Sequence, residues 1–127
     1  MARPLRILVV DDNAILRTLL THVLEANGFV ALSASSAEEA LEVARLAPPD
    51  LCLVDFCMPG VNGAELIRRL RSGKDGLGQV PAIGLSGYDG SEKELLAAGA
   101  ISALRKPCAE KALIDSVRGA LARSALN

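Results

Sequence analysis

With 127 residues, half of them apolar, the chain can close one hydrophobic core that removes about two thirds of its unfolded surface from water; the length fits a single domain, residues 1–127. Fourteen basic residues against fifteen acidic ones give a formal charge of −1 with no block of one sign, which argues against direct nucleic-acid binding. Apolar runs rarely pass five or six residues and no basic leader precedes a long one, so the expectation is a soluble, cytoplasmic protein without membrane insertion, and Cys52, Cys57 and Cys108, odd in number and without CxxC spacing, suggest neither a disulfide framework nor a zinc site.

In chain order, Ile7 to Val10 is an apolar run that ends in Asp11 and Asp12. The period then changes: Ile15, Leu16, Leu19, Leu20, Val23 and Leu24 recur at helical spacing, and Asn27-Gly28 supplies a stop. Phe29 to Leu32 reads as a second strand. Ser36 with Glu39 three residues on makes a capping box for a helix carried by Ala37, Ala40, Leu41 and Ala44 and stopped by Pro48-Pro49. Leu51 to Val54 runs straight into Asp55, and Pro59-Gly60 turns the chain before a third helix opens near Gly63 with Leu66, Ile67 and Leu70. That helix ends near Ser72-Gly73, and the glycine-rich stretch from Lys74 to Gln79 is expected to be a flexible loop. Ala82 to Leu85 forms a fourth strand ending at Ser86; Ser91 is placed to cap a short helix from Glu92 to Ala98 that Gly99 closes; Ile101 to Arg105 is a fifth strand followed by Lys106-Pro107. Leu113, Ile114, Val117 and Leu121 make the last helix.

Five apolar strands alternating with five helices predict a doubly wound α/β protein, a parallel sheet covered on both faces because each right-handed crossover lays its helix against one side. Ligands in such sheets sit at the carboxyl ends of the strands. Asp11 and Asp12, Asp55, Ser86 and Lys106 each follow a different strand, so parallel strands bring all of them to one rim. Carboxylates converging there repel one another unless a cation intervenes, and a hard oxygen-seeking divalent ion such as magnesium answers that need. Asp12 and Asp55 are the better direct ligands, with Asp11 acting through water. Lys106 adds a mobile positive charge and Ser86 a hydroxyl donor, a set suited to a tetrahedral anion and hence to phosphoryl chemistry on an aspartate nucleophile.

These residues carry a resemblance. Asp11-Asp12 after strand one, Asp55 with Met58-Pro59-Gly60 and Asn62-Gly63, Ser86-Gly87 after strand four and Lys106-Pro107 after strand five look like the receiver domain of two-component response regulators, over about residues 5–124. The resemblance implies a flavodoxin-like sheet in strand order 2-1-3-4-5. It implies that Asp55 accepts a phosphoryl group from a phosphohistidine on a sensor histidine kinase or histidine phosphotransfer protein and that the domain signals by a conformational change. It further implies that Asp11, Asp12, Asp55 and the backbone carbonyl of Cys57 hold Mg2+ (or Mn2+), that Ser86 and Lys106 grip the phosphoryl oxygens, that Gly87 leaves room for them, and that the Lys106-Pro107 bond is cis. A weak homodimer is compatible with it.

Two departures stand out. The aromatic residue that receivers carry three positions before the lysine is Ala103 here, and the segment from Ser86 to Lys106 is about two residues short, so a stunted fourth helix is expected. Tyr88 is a candidate substitute ring. His22, the single histidine, has helix-surface neighbours Thr18, Thr21 and Glu25 and reads as a solvated residue rather than a phosphodonor. Two other functions use the same residues. A small phosphatase with an aspartyl nucleophile would normally place a second acid where Cys57 stands, and a phosphorylation-independent binding module would have no need of the acidic rim.

Overall fold

The computed structural model describes residues 3–74, 76–87 and 90–125. Five strands, β1 (Arg6–Val10), β2 (Val30–Ala34), β3 (Leu51–Asp55), β4 (Ala82–Ser86) and β5 (Ser102–Arg105), alternate with α1 (Ala14–Ala26), α2 (Ala37–Leu46), α3 (Gly63–Arg71), α4 (Glu92–Ala98) and α5 (Glu110–Ala125). All four strand pairs are parallel, and the sheet order is β2-β1-β3-β4-β5. The chain leaves β1 toward one edge and returns to build β3, β4 and β5 toward the other. The carboxyl ends of β1 and β3 therefore flank the point where the winding reverses.

Alternation along the central strands divides the core in two, since successive side chains of a strand point to opposite faces. Leu8, Val10, Cys52 and Val54 meet α2, α3 and α4, whereas Ile7, Val9, Leu51, Leu53, Ile83 and Leu85 meet α1 and α5. On the first face the fully buried residues of α2 are Ala37, Ala40 and Ala44, small residues that let the helix lie close to the sheet, with Leu41 and Val43 packed at the margin. Cys52 is buried there as a small apolar group, its thiol pushed up to about 12 by desolvation.

Several local details differ from the sequence reading. The β2 strand starts at Val30 and extends to Ala34, because pairing with Arg6 to Val10 of β1 sets its register. The capping box of α2 is shifted: Ser36 Oγ accepts from Glu39 N–H at 3.2 Å, but the Glu39 carboxylate reaches back to the N–H of Ser35, not of Ser36. On α1 the six apolar residues are not one buried stripe, since Leu20 and Leu24 enter the core while Ile15 is 84% exposed. Of the expected flexible loop, Asp75 lies outside the described residues, and residues 76–79 are fastened rather than loose: Leu77 is buried, and the Arg71 guanidinium donates to the carbonyls of Gly78 and Val80. At seven residues α4 is the shortest helix described, in keeping with the short Ser86 to Lys106 segment. Ser91 sits at its amino end without making a side-chain cap. Tyr88 lies outside the described residues.

Candidate phosphoryl-acceptor site

The site grows from strand ends. Asp11 follows β1, and its main chain is gripped from two sides: its N–H donates to Ala34 O at 3.1 Å, and Arg17 Nη1 donates to its carbonyl at 2.6 Å. Asn13 then does two jobs. Its N–H donates to Asp11 Oδ1 at 2.9 Å, while its own side-chain oxygen accepts from Leu16 N–H and caps α1. The second oxygen, Asp11 Oδ2, is buried without a hydrogen-bond donor. Asp12, the next residue, is exposed.

Asp55 ends β3 and is 3% exposed. The chain beyond it is fixed by Phe56 N–H donating to Leu85 O and Gly63 N–H donating to Phe56 O, both at 2.9 Å. The amino end of α3 thus lies directly on the strand end. A Cβ at Gly63 would stand 2.3 Å from the Asp55 carbonyl oxygen, so no other residue fits without moving Asp55. From β5, Lys106 N–H donates to Ser86 O at 2.7 Å, and the Lys106–Pro107 peptide bond is cis.

Three carboxylates, those of Asp11, Asp12 and Asp55, each offer an oxygen within 4.8 Å of the others. Lys106 Nζ faces them, donating to Asp55 Oδ1 at 2.9 Å and lying 3.7 Å from Asp11 Oδ2. Burial pushes the Asp55 carboxyl above its ordinary range; the Lys106 hydrogen bond opposes this and the neighbouring charge of Asp11 adds to it. At Lys106 burial works against the charge, but the Asp55 hydrogen bond and the fields of Asp55 and Asp11 outweigh it and hold the ammonium above its ordinary range. Among the described residues Lys106 is the cation that ion-pairs with these carboxylates, and one positive charge against three leaves the cluster with an excess of negative charge. The orphaned Asp11 Oδ2 and the all-oxygen donor set fit a hard divalent ion in that place.

Ser86, at the end of β4, is fully buried, and its hydroxyl donates to Gly87 O at 3.2 Å. Cys57 is exposed beside Asp55, and Cys108 is half-buried beyond Lys106. Arg17, Asn13 and Ser91 were not among the residues singled out as part of the rim. Asn13 carried a signal, a capping residue immediately before a helical pattern, whereas nothing local in the sequence marks Arg17 or Ser91 as a neighbour of the rim.

A sequence profile described as the response regulator receiver domain matches residues 7–118. The DNA-binding response regulator MtrA of Mycobacterium tuberculosis is 36% identical over 121 residues, 94% of this chain and 51% of MtrA. The chain thus spans about half the length of such curated relatives. Among solved structures, the CheY-like response regulator receiver domain protein of Methanospirillum hungatei superposes with a TM-score of 0.88 at 26% identity, covering 97% of this chain and 98% of that one. The chemotaxis protein CheY4 of Vibrio cholerae gives 0.85 at 28% identity, covering 93% and 99%. Strand order, acidic rim and sequence match converge: the chain belongs to the response regulator receiver domain family, the phosphorylation-linked modules of two-component signalling.

Proposed function

We propose that Asp55 accepts a phosphoryl group from a phosphohistidine on a sensor histidine kinase or histidine phosphotransfer protein. An Asp55 carboxylate oxygen forms a bond to phosphorus as the bond from phosphorus to the imidazole nitrogen breaks, and the departing imidazole keeps the electron pair and takes up a proton. The observation that carries this reading is the Lys106 ammonium set 2.9 Å from Asp55 within a group of three carboxylates, two of them buried. A structural salt bridge needs one acid for one base; here two further acids remain.

Asp11, Asp12 and Asp55 would hold Mg2+ or Mn2+, with the Cys57 carbonyl as a further oxygen donor. When bound, the ion supplies charge neutralisation for the phosphoryl oxygens. Lys106 is close enough to Asp55 to follow a charge that moves from the carboxylate onto a phosphoryl group. Ser86 offers one hydroxyl proton to the same oxygens, and Gly87 presents no side chain to obstruct them. Signalling then needs the phosphorylated and free forms to differ in the contacts these residues make. The function is that of a signalling phosphoacceptor, not of an enzyme acting on added phosphoesters. The DNA binding in MtrA's name is not carried over, and among the described residues no helix is long and apolar enough to cross a membrane.

Labelling with radioactive acetyl phosphate tests the assignment. Asp55→Asn is expected to reduce incorporation to background, whereas label persisting on another residue would falsify it.

A further inference from the structure

The family's aromatic ring is replaced by Ala103, so the route from the acceptor site to the rest of the molecule must run through other atoms. Ala103 pairs with Gly84 across β4 and β5, and these two small residues lie side by side beneath α4. Leu95 of α4 descends onto Gly84, where an added Cβ would come within 2.7 Å of its Cδ1. The space is filled from the helix, not from the sheet.

The amino end of α4 is tied down by polar contacts. Ser91 and Ser86 are both buried, and their hydroxyl oxygens are 2.9 Å apart. The direction of that hydrogen bond follows by elimination. The Gly87 carbonyl and the Glu92 carboxylate, both beside the Ser86 hydroxyl, can only accept, so the Ser86 proton is committed to that side, and the proton between the two hydroxyls is that of Ser91. The hydroxyl at the head of the helix therefore does not cap it. Beside it, Glu92 reaches across to Arg105, carboxylate to guanidinium at 3.2 Å, at the carboxyl end of β5.

We propose that Ser91 is a positioning residue for phosphoryl recognition: it holds the Ser86 hydroxyl on the α4 side in the unphosphorylated chain, and a phosphoryl group on Asp55 draws Ser86 away and unlatches the amino end of α4. The inference rests on the reading of Asp55 as phosphoacceptor and of Ser86 as a phosphoryl donor group. Ser86 has one proton. To give it to a phosphoryl oxygen it must leave Gly87 O and the Glu92 carboxylate, and the turn of the whole side chain toward Asp55 that does so carries its oxygen away from Ser91. The resting contact is thus a population tax on anion binding, and removing it raises apparent affinity by the fraction of molecules it had held back.

Beryllofluoride in the presence of magnesium, titrated into the whole chain, tests this alongside amide hydrogen exchange at residues 94–98. Ser91→Ala is expected to bind beryllofluoride about 2- to 10-fold tighter than wild type, the range of one neutral hydrogen bond. Its unliganded α4 exchange should rise to the level of liganded wild type. Ser91→Thr, which keeps the hydroxyl, should move both readings back toward wild type. General damage to the fold does not raise affinity. Unchanged or weaker binding by Ser91→Ala, with wild type binding normally, overturns the inference and leaves the phosphoacceptor reading intact. Failure of wild type to bind overturns both. Should Ser91→Ala not fold, Ser86→Ala supplies the second arm: its unliganded α4 exchange should also rise, and exchange equal to wild type overturns the latch.

Discussion

Two carboxylates bracket strand β3, and they have opposite fates. Asp50, just before the strand, receives both guanidinium nitrogens of Arg3 at 2.8 and 2.9 Å and the Arg6 N–H at 2.7 Å. The Arg3 hydrogen bonds hold it below the ordinary carboxylate range even against partial desolvation. Asp55, at the other end, is buried beside two more acids with Lys106 as the cation that faces it, and it is pushed above that range. At one end charge is matched to fasten the amino-terminal segment to the sheet. At the other it is left unmatched, and that imbalance is an affinity for cations and for the transfer of a tetrahedral group.

The sharpest way to break this contrast is to remove each cation in turn. Lys106→Met is expected to slow labelling of Asp55 by acetyl phosphate by roughly 10²–10³-fold, the cost of one preorganised donor at a developing charge. Arg3→Met should leave the labelling rate unchanged. Equal losses in the two variants would show that the two ends do not differ in function.

Metal comes next. An ion that binds only the folded chain adds about 2.7 kcal/mol at a hundred times its dissociation constant. Urea unfolding with magnesium at that level should show this gain in wild type and in Asp50→Asn, and show most of it lost in Asp55→Asn. A gain that survives Asp55→Asn in full would put the ion elsewhere.

How far such a contrast is visible in sequence depends on the range of the interaction. A strand that runs apolar into a carboxylate is a local pattern, and parallel pairing then brings Asp11, Asp55, Ser86 and Lys106 to one edge; that is why the sheet, its covering helices and the rim were legible. Asp50 was passed over because its partner Arg3 lies 47 residues away and no period links them. Arg17 was missed for a related reason: its target is a backbone carbonyl, and any long cation on the first turns of α1 would look the same. The Ser91 cap was misread because the rule for a helix head considers only the helix, whereas a buried hydroxyl of β4 competed for it. For α1, spacing gave the helix but not the buried face, since apolar residues occur on more than one side of it.

Packing offers a smaller effect at the same strand end. Gly63→Ala forces a methyl into contact with the Asp55 carbonyl, and overpacking of this kind costs typically about 1–3 kcal/mol. Chemical denaturation should show that loss, together with slower acetyl phosphate labelling because Asp55 moves with its carbonyl. Full stability and full labelling in Gly63→Ala would mean that the strand end tolerates displacement and is not a rigid seat for Asp55.

The smallest expected effect is on the pH dependence of stability in metal-free buffer, and its sign separates the two ends of β3. Stability changes with pH according to the protons bound by the unfolded chain minus those bound by the folded one. Asp55 is raised on folding, so between its unfolded and folded pKa the folded chain holds more proton. Its contribution is present below the ordinary carboxylate range and is lost as pH rises through the raised value. Asp50 is lowered on folding, so its contribution is present above the ordinary range and is lost as pH falls through the lowered value. Asp55→Asn should therefore flatten a fall in stability on the alkaline side of the carboxylate range, and Asp50→Asn a rise on its acid side. The Asp55 effect is kept small because the Lys106 hydrogen bond opposes burial at that carboxyl, and magnesium should abolish it by giving the ionised form a second partner. Urea midpoints between about pH 3 and 8, with and without chelator, measure both windows. A common sign for the two variants would mean that the two carboxylates sit in equivalent environments, and the contrast between the ends of the strand would be lost.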